Sequence, residues 1–209
     1  MRTSRMIGLL LVPGLALSGT VASAQSPEGV VLNGTTTEWL VASAALAAPA
    51  QLRAGAEVRA WTRDGHLVTL RAGSNRIICL ADEPGDGRFR AACYHDSLEP
   101  FMERGRELRR QGVEGEARNQ VRWDEIEAGT LPMPDIAMVY NLAFPSEDFD
   151  PATTDPATGG RLHAIYMKNA TPESTGLPTL PDGGPWLMLP GTPSAHVMIG
   201  LPSKAPPGT

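Results

Sequence analysis

Residues 57–94 restrict the fold more than any other part of the chain. Four short runs, 57–63, 66–71, 75–81 and 88–94, are rich in aliphatic, aromatic and β-branched residues. Turn formers separate them: Asp64-Gly65, Gly73-Ser74, and residues 82–87 with Pro84-Gly85. Runs of this length bounded by such residues read as strands, and Asp-Gly between two of them signals a two-residue hairpin. Short turns join antiparallel neighbours, so the pattern predicts a β-meander. The turns also set a register. Trp61 falls opposite Val68 and Arg59 opposite Leu70, then Leu70 opposite Ile77 and Val68 opposite Cys79. Pairing Ala81 with Ala91 brings Cys79 opposite Cys93. One face then carries Trp61, Val68, Leu70, Ile77, Cys79, Ala81, Phe89, Ala91 and Cys93. The other carries Val58, Ala60, Leu67, Ile78, Leu80 and Tyr94. Both are apolar enough to need a cover, and helices are the expected one.

The flanking sequence supplies helices. Thr35 and Glu38 have the spacing of a capping box, predicting a helix over 36–48 that stops before Pro49, with Trp39, Ala42 and Leu46 on one face. Asp96 and Glu99 start a second helix over 97–110, with Leu98, Phe101, Met102, Gly105 and Leu108 as its inner stripe. Arg109 and Arg110 in its last turn suit the helix dipole, and Gly112 ends it. A third helix is expected over 115–127. Residues 136–144 and 161–167 read as further strands around an acidic, turn-rich loop, 146–160. Residues 172–209 hold nine of the 19 prolines. Within this Pro-rich C-terminal segment, 185–189 and 195–201 read as edge strands, and the chain from 202 as a disordered tail. The expected fold class is α+β: a twisted antiparallel β-meander with helices packed on it, in a single domain over 25–201.

The first 24 residues have the layout of a secretion signal. Arg2 and Arg5 precede an apolar run from Met6 to Leu17, and Ala22-Ser23-Ala24 offers the small-residue cleavage pattern. That run is shorter than the about 20 residues a membrane span needs. Cleavage after Ala24 leaves 185 residues, with 16 basic against 23 acidic side chains and a net charge of −7. Such a balance argues against nucleic acid as a partner. The expected location is periplasmic or extracellular, with no transmembrane segment after cleavage. In an oxidising compartment the two cysteines, Cys79 and Cys93, read as a disulfide. Closing a loop of about 15 residues stabilises by roughly 3 kcal/mol.

Several stretches carry a further likeness: Ala-Leu-Ala-Ala-Pro at 45–49, Gly55-Ala56-Glu57-Val58, Arg63-Asp64-Gly65, Gly73-Ser74-Asn75 and Cys79-Leu80. Through these the N-terminal half resembles a group of secreted bacterial proteins of unknown function. That resemblance implies a signal peptide, a helix and a Cys-containing β-meander followed by a helix. It implies no activity and no functional residue.

Candidate chemistry is sparse. Cys93-Tyr94-His95-Asp96 is the densest cluster of reactive types, and Cys93 with His95 has the makings of a thiolate pair unless the disulfide removes the thiol. His95, His163 and His196 lie on strands or at strand ends and are weak candidates for a hydrolase site assembled with carboxylates. No two histidines have zinc-site spacing. Asp148, Asp150 and Asp155 are weak calcium candidates on a loop lacking the EF-hand pattern. Ser194 with His196 resembles a hydrolase pair, but residues 191–195 are not G-x-S-x-G and Pro193 opposes a nucleophile elbow. Among the tryptophans, Trp61 is expected in the core. Trp186, between Pro185 and Pro190, is expected exposed on a plain edge strand, with an aromatic-lined binding edge as the alternative. No cofactor motif is present, so none is expected. The leading expectation is a secreted or periplasmic non-catalytic binding protein, whose partner is a ligand or envelope component of unknown identity. The alternatives are the histidine and carboxylate hydrolase and a structural envelope protein.

Overall fold

The computed structural model describes residues 27–32, 34–83, 85, 87–145 and 149–204. The secretion signal read at 1–24 and residues 205–209 of the tail lie outside the described residues. The fold is α+β, as expected. Eight strands form one sheet: β1 (Glu57–Trp61), β2 (Leu67–Arg71), β3 (Ile77–Leu80), β4 (Arg88–His95), β5 (Ile136–Pro145), β6 (Arg161–Met167), β7 (Trp186–Met188) and β8 (His196–Leu201). Their order is β2-β1-β3-β4-β5-β6-β8-β7. The helices are α1 (Thr37–Ala45), α2 (Ala50–Arg53), α3 (Glu99–Arg110), α4 (Gly115–Glu127) and α5 (Pro172–Thr175). Among the described residues no helix is long and apolar enough to cross a membrane.

The simple meander is corrected at its start. All neighbouring strands are antiparallel except β1 and β3, which pair in parallel, Val58 against Cys79. β2 therefore lies at the sheet edge and does not pair with β3. After β2 the chain crosses the N-terminal end of β1. Ser74 and Asn75 donate their backbone N–H groups to the Gly55 carbonyl at 2.8 and 3.0 Å. The Asn75 side chain donates to the Leu52 carbonyl at 2.8 Å and accepts from the Ile77 N–H at 3.0 Å. Gly73-Ser74 belongs to this crossing and is not a hairpin turn.

The first hairpin also slips by one residue. Thr62 N donates to His66 O at 2.8 Å and Gly65 N to Thr62 O at 3.0 Å, with Gly65 at φ +77°. The loop is thus three residues, 63–65, closed by a left-handed glycine, the next commonest hairpin after the two-residue forms. Ala60 faces Val68, and Trp61 faces Leu67. A one-residue slip exchanges the faces of a strand. Val58 and Ala60 accordingly join Cys79, while Arg59 and Trp61 turn to the opposite side. The β3–β4 register is as expected, with Cys79 opposite Cys93 and a disulfide between them.

The disulfide face carries Val58, Ala60, Ile77, Cys79, Ala81, Phe89, Ala91, Cys93, Leu142 and Phe144. Leu40 and Ala44 of α1, with Ala47 and Ala48, cover it. The cap of α1 is Thr36, whose side chain accepts from Trp39 N, one residue past the predicted Thr35. The inner face shifts with it, and Ala42 is exposed. The opposite face carries Ile78, Tyr94, Ala137, Val139, Ala164 and Met198 beneath Leu98 and Met102. There α3 and α4 pack together around Phe101 and Ile126, with Leu131 beyond them. A short 3-10 turn, Asp96–Leu98, precedes α3, capped by the His95 side chain and not by Asp96. α4 occupies its predicted span, and α3 keeps its predicted stripe with buried Arg106 added. In the C-terminal segment β8 is an interior strand between β6 and β7, so only β7 is an edge. Pro202, Ser203 and Lys204 are hydrogen-bonded to residues 157–161.

Candidate functional site

The slip that turns Arg59 and Trp61 toward α3 builds a polar clamp. α3 begins at Glu99, and its carboxylate reaches across to the sheet. Glu99 Oε1 accepts from Arg59 and, at 2.7 Å, from Arg106 Nη2. Glu99 Oε2 accepts from the Tyr94 hydroxyl at 2.5 Å. Arg106 also donates to Glu103 at 2.9 Å and to the Tyr94 oxygen at 3.3 Å. Burial pushes the Tyr94 phenol well above its ordinary pKa, outweighing Arg106 beside it, so it stays a neutral donor. Arg106 is 9 % exposed and would be costly to bury without these carboxylates. The clamp fixes α3 over β1 and β4.

The helix pair covers only part of its face. Along β4 and β5, Tyr94 and Val139 are buried under it, while Ala92, Asn141 and Ala143 stay partly open. These residues floor a cleft of about 610 Å³, walled by Trp61, Leu80 and Arg109. The small side chains of Ala92 and Ala143 leave its depth. Arg109 stands over the Trp61 ring at 5.4 Å and is held there by two hydrogen bonds to Glu83, at 2.7 and 3.0 Å. Trp61 is buried, as predicted, but it packs as a wall of this cleft and not on the disulfide face. A second concavity of about 330 Å³ shares Trp61, Leu80, Glu83 and Arg109 with the first and continues under α4. The arrangement suits binding of a small molecule: a volume inside the usual 300–1,000 Å³ range, an aromatic wall, a mostly aliphatic floor and a few polar groups.

The candidate residues read from the sequence lie elsewhere. Cys93 is in the disulfide, which leaves His95 without a thiol partner. His95 Nδ1 accepts from Ser97 N at 3.3 Å and lies 2.8 Å from Ser97 Oγ, a capping role. His163 is on β6, edge-on to Tyr140 on the disulfide face, and its Nδ1 accepts from Asn141 N at 3.3 Å. Burial first, then nearby Arg161, lowers its pKa. His196 is on the opposite face, stacked on Tyr166 at 4.9 Å, with Nδ1–H donating to the Ser194 carbonyl at 2.8 Å. Burial lowers its pKa despite that bond. The three histidines are not brought together: His163 and His196 are on opposite sides of the sheet, and His95 is two strands from His163, about 10 Å away at the sheet spacing.

Ser194 is buried, and its hydroxyl accepts from Trp123 Nε1 at 2.8 Å, so it is a structural acceptor. Asp148 lies outside the described residues. Asp150 receives Ala152 N at 2.9 Å and Thr153 Oγ1 at 3.1 Å. Asp155 caps a 3-10 turn, Pro156–Thr158, by accepting from Ala157 N at 2.8 Å. Both carboxylates thus hold their own loop, and among the described residues no group of three or more His, Cys, Asp or Glu is placed to hold a metal. Trp186 is half-buried against the helix-pair face. Sequence reasoning missed the cleft. Its available signal was Asn141, a polar residue interrupting the Ala137, Val139, Ala143 face of an otherwise apolar strand.

No family model matches the chain, and no curated protein or solved structure matches it either.

Proposed function

We propose that this chain is a secreted or periplasmic non-catalytic binding protein that holds a small, largely apolar molecule in the cleft between Trp61 and the β4–β5 floor. The cleft itself carries this reading: about 610 Å³ open to solvent, on a floor stiffened by the sheet. The Cys79–Cys93 cross-link ties β3 to β4 directly behind that floor, and the Glu99 clamp fixes the helix that walls it. A preformed concavity of this kind binds without reorganisation, which favours affinity. Export to an oxidising compartment agrees with both the N-terminal signal pattern and the disulfide.

The test uses N-phenyl-1-naphthylamine, a neutral aromatic probe whose fluorescence rises on entering an apolar site. The wild-type protein should bind it saturably with one site. Ala92→Phe fills the floor and should weaken binding at least tenfold without lowering the melting temperature. No saturable binding, or equal binding by Ala92→Phe, would contradict the proposal.

A further inference from the structure

The concavity that continues the cleft under α4 is lined by four arginines, Arg106, Arg109, Arg118 and Arg122, with Tyr166 opposite. Two of them are neutralised. Arg106 is paired with Glu99 and Glu103, and Arg109 with Glu83. Glu83 also lines the concavity but is held by Arg109, and among the described residues no carboxylate is hydrogen-bonded or ion-paired to Arg118 or Arg122. Arg122 is 8 % exposed, and its hydrogen bonds go only to neutral acceptors: Asn119 Oδ1 at 2.7 Å and the carbonyls of Phe101 and Arg118 at 3.4 Å. Its guanidinium lies 4.0 Å from the Phe101 ring centre. Burial, with Arg118 adding to it and Tyr166 opposing, lowers its pKa to about 10. It therefore remains charged at neutral pH. The Nε of Arg118 is buried without a hydrogen-bond partner.

Such a pair is unfavourable by itself. A buried cation without a counter-charge loses hydration that neutral acceptors replace only in part, and two like charges four residues apart on a helix repel. The surroundings nonetheless make room for it. A Cβ on Gly105 would lie 2.8 Å from Arg122 Nη1, so the close approach of α3 depends on that glycine. Tyr166 adds a hydroxyl whose pKa is raised by burial, leaving it a neutral donor. Donors in excess, positive charge without a partner and an open volume of about 330 Å³ are what an oxyanion needs.

We propose that Arg118 and Arg122 form an oxyanion site, holding the carboxylate, sulfate or phosphate group of a ligand whose apolar body occupies the adjoining cleft. This rests on the cleft being the binding site, and it names the ligand class: an amphiphilic organic anion with one compact charged end.

Two probes of similar aromatic body separate the claims: neutral N-phenyl-1-naphthylamine, and 8-anilinonaphthalene-1-sulfonate, which carries an oxyanion. Arg118→Gln should weaken binding of the sulfonate roughly tenfold, as expected for loss of a charged hydrogen bond, and leave the neutral probe unchanged. Arg122→Gln should act in the same direction. Arg76→Gln, which removes an exposed arginine paired with Asp96, should affect neither probe. Inorganic phosphate and acetate are then added as competitors. Displacement of the sulfonate by one more than the other identifies the preferred group, and displacement by neither overturns the proposal. Equal sulfonate binding by wild type and Arg118→Gln also overturns it. Unchanged neutral-probe binding in Ala92→Phe, alongside sulfonate binding that is still weakened by Arg118→Gln, would instead remove the cleft reading and leave the anion site standing.

Discussion

Replacing Gly73 with alanine should destabilise the protein by about 1–2 kcal/mol. A Cβ at this position would lie 2.8 Å from Glu57 N, 3.0 Å from Glu57 Cβ and 3.2 Å from Glu57 Cα. These atoms belong to the first residue of β1, which is paired with β3 and followed at once by its pairing with β2. They cannot give way as the tip of a long side chain would. Overpacking of this kind costs about 1–3 kcal/mol. Against it stands the gain of about 0.4–1 kcal/mol that alanine brings at a compatible glycine site by restricting the unfolded chain. The net loss should lower the melting temperature by roughly 3–6 °C in a chain of this size. Urea unfolding followed by tryptophan fluorescence measures it, with Gly200→Ala as control, since a Cβ there meets nothing within 4 Å. The sign is informative. If residues 72–76 formed a simple hairpin between β2 and β3, Gly73 would be open and alanine would be neutral or stabilising. A Gly73→Ala protein as stable as the wild type would refute the crossing beneath β1.

Three further outcomes are expected. Replacing both Cys79 and Cys93 with serine should cost about 3 kcal/mol, read by urea unfolding, while alkylation and mass measurement of wild type without reductant should find no free thiol. Glu99→Gln leaves Arg59 and the nearly buried Arg106 without their shared carboxylate and should cost about 2–4 kcal/mol, with Glu99→Asp restoring little because its reach is shorter. His163 and His196 are both held below the ordinary histidine pKa by burial. The unfolded chain therefore takes up protons near pH 6.5 that the folded chain refuses, and stability should fall as the pH drops below about 6.5. Replacing both with glutamine should flatten that slope in unfolding measurements between pH 7 and 5.

Much of this architecture is legible from local pattern. The run Gly115–Glu127 is a helix because good helix formers lie between two glycines that both take positive φ, Gly115 and Gly129. The β3–β4 hairpin and its disulfide follow from alternation that is the same on both strands. What failed depended on a difference of one residue or on distant chain. Asp64-Gly65 favours a two-residue loop, but Thr62 closes the hairpin with His66, and that single residue moves Trp61 from the disulfide face to the cleft. Gly73-Ser74 looks like any turn, and only the Gly55 carbonyl, far back in sequence, makes it a crossing. Apart from the polar Asn141 on its apolar strand face, the cleft was illegible for the same reason. Its wall at Trp61 depends on the slip, its floor at Ala92 and Asn141 on which strands become neighbours, and its open end on how far α3 and α4 reach. Arg118 and Arg122, four apart on one helix, resemble an exposed basic stripe until Gly105 and Phe101 are placed against them.

The claim that the Trp61 cleft is the binding site is tested most directly by mapping backbone and tryptophan indole NMR shifts of the labelled protein during titration with N-phenyl-1-naphthylamine. Saturable shifts at Ala92, Asn141, Ala143 and the Trp61 indole, with little change elsewhere, are predicted. Shifts centred instead on the aromatic concavity of Trp39, Phe89 and Phe149, which has a volume of about 390 Å³ on the other face of the sheet, would contradict it.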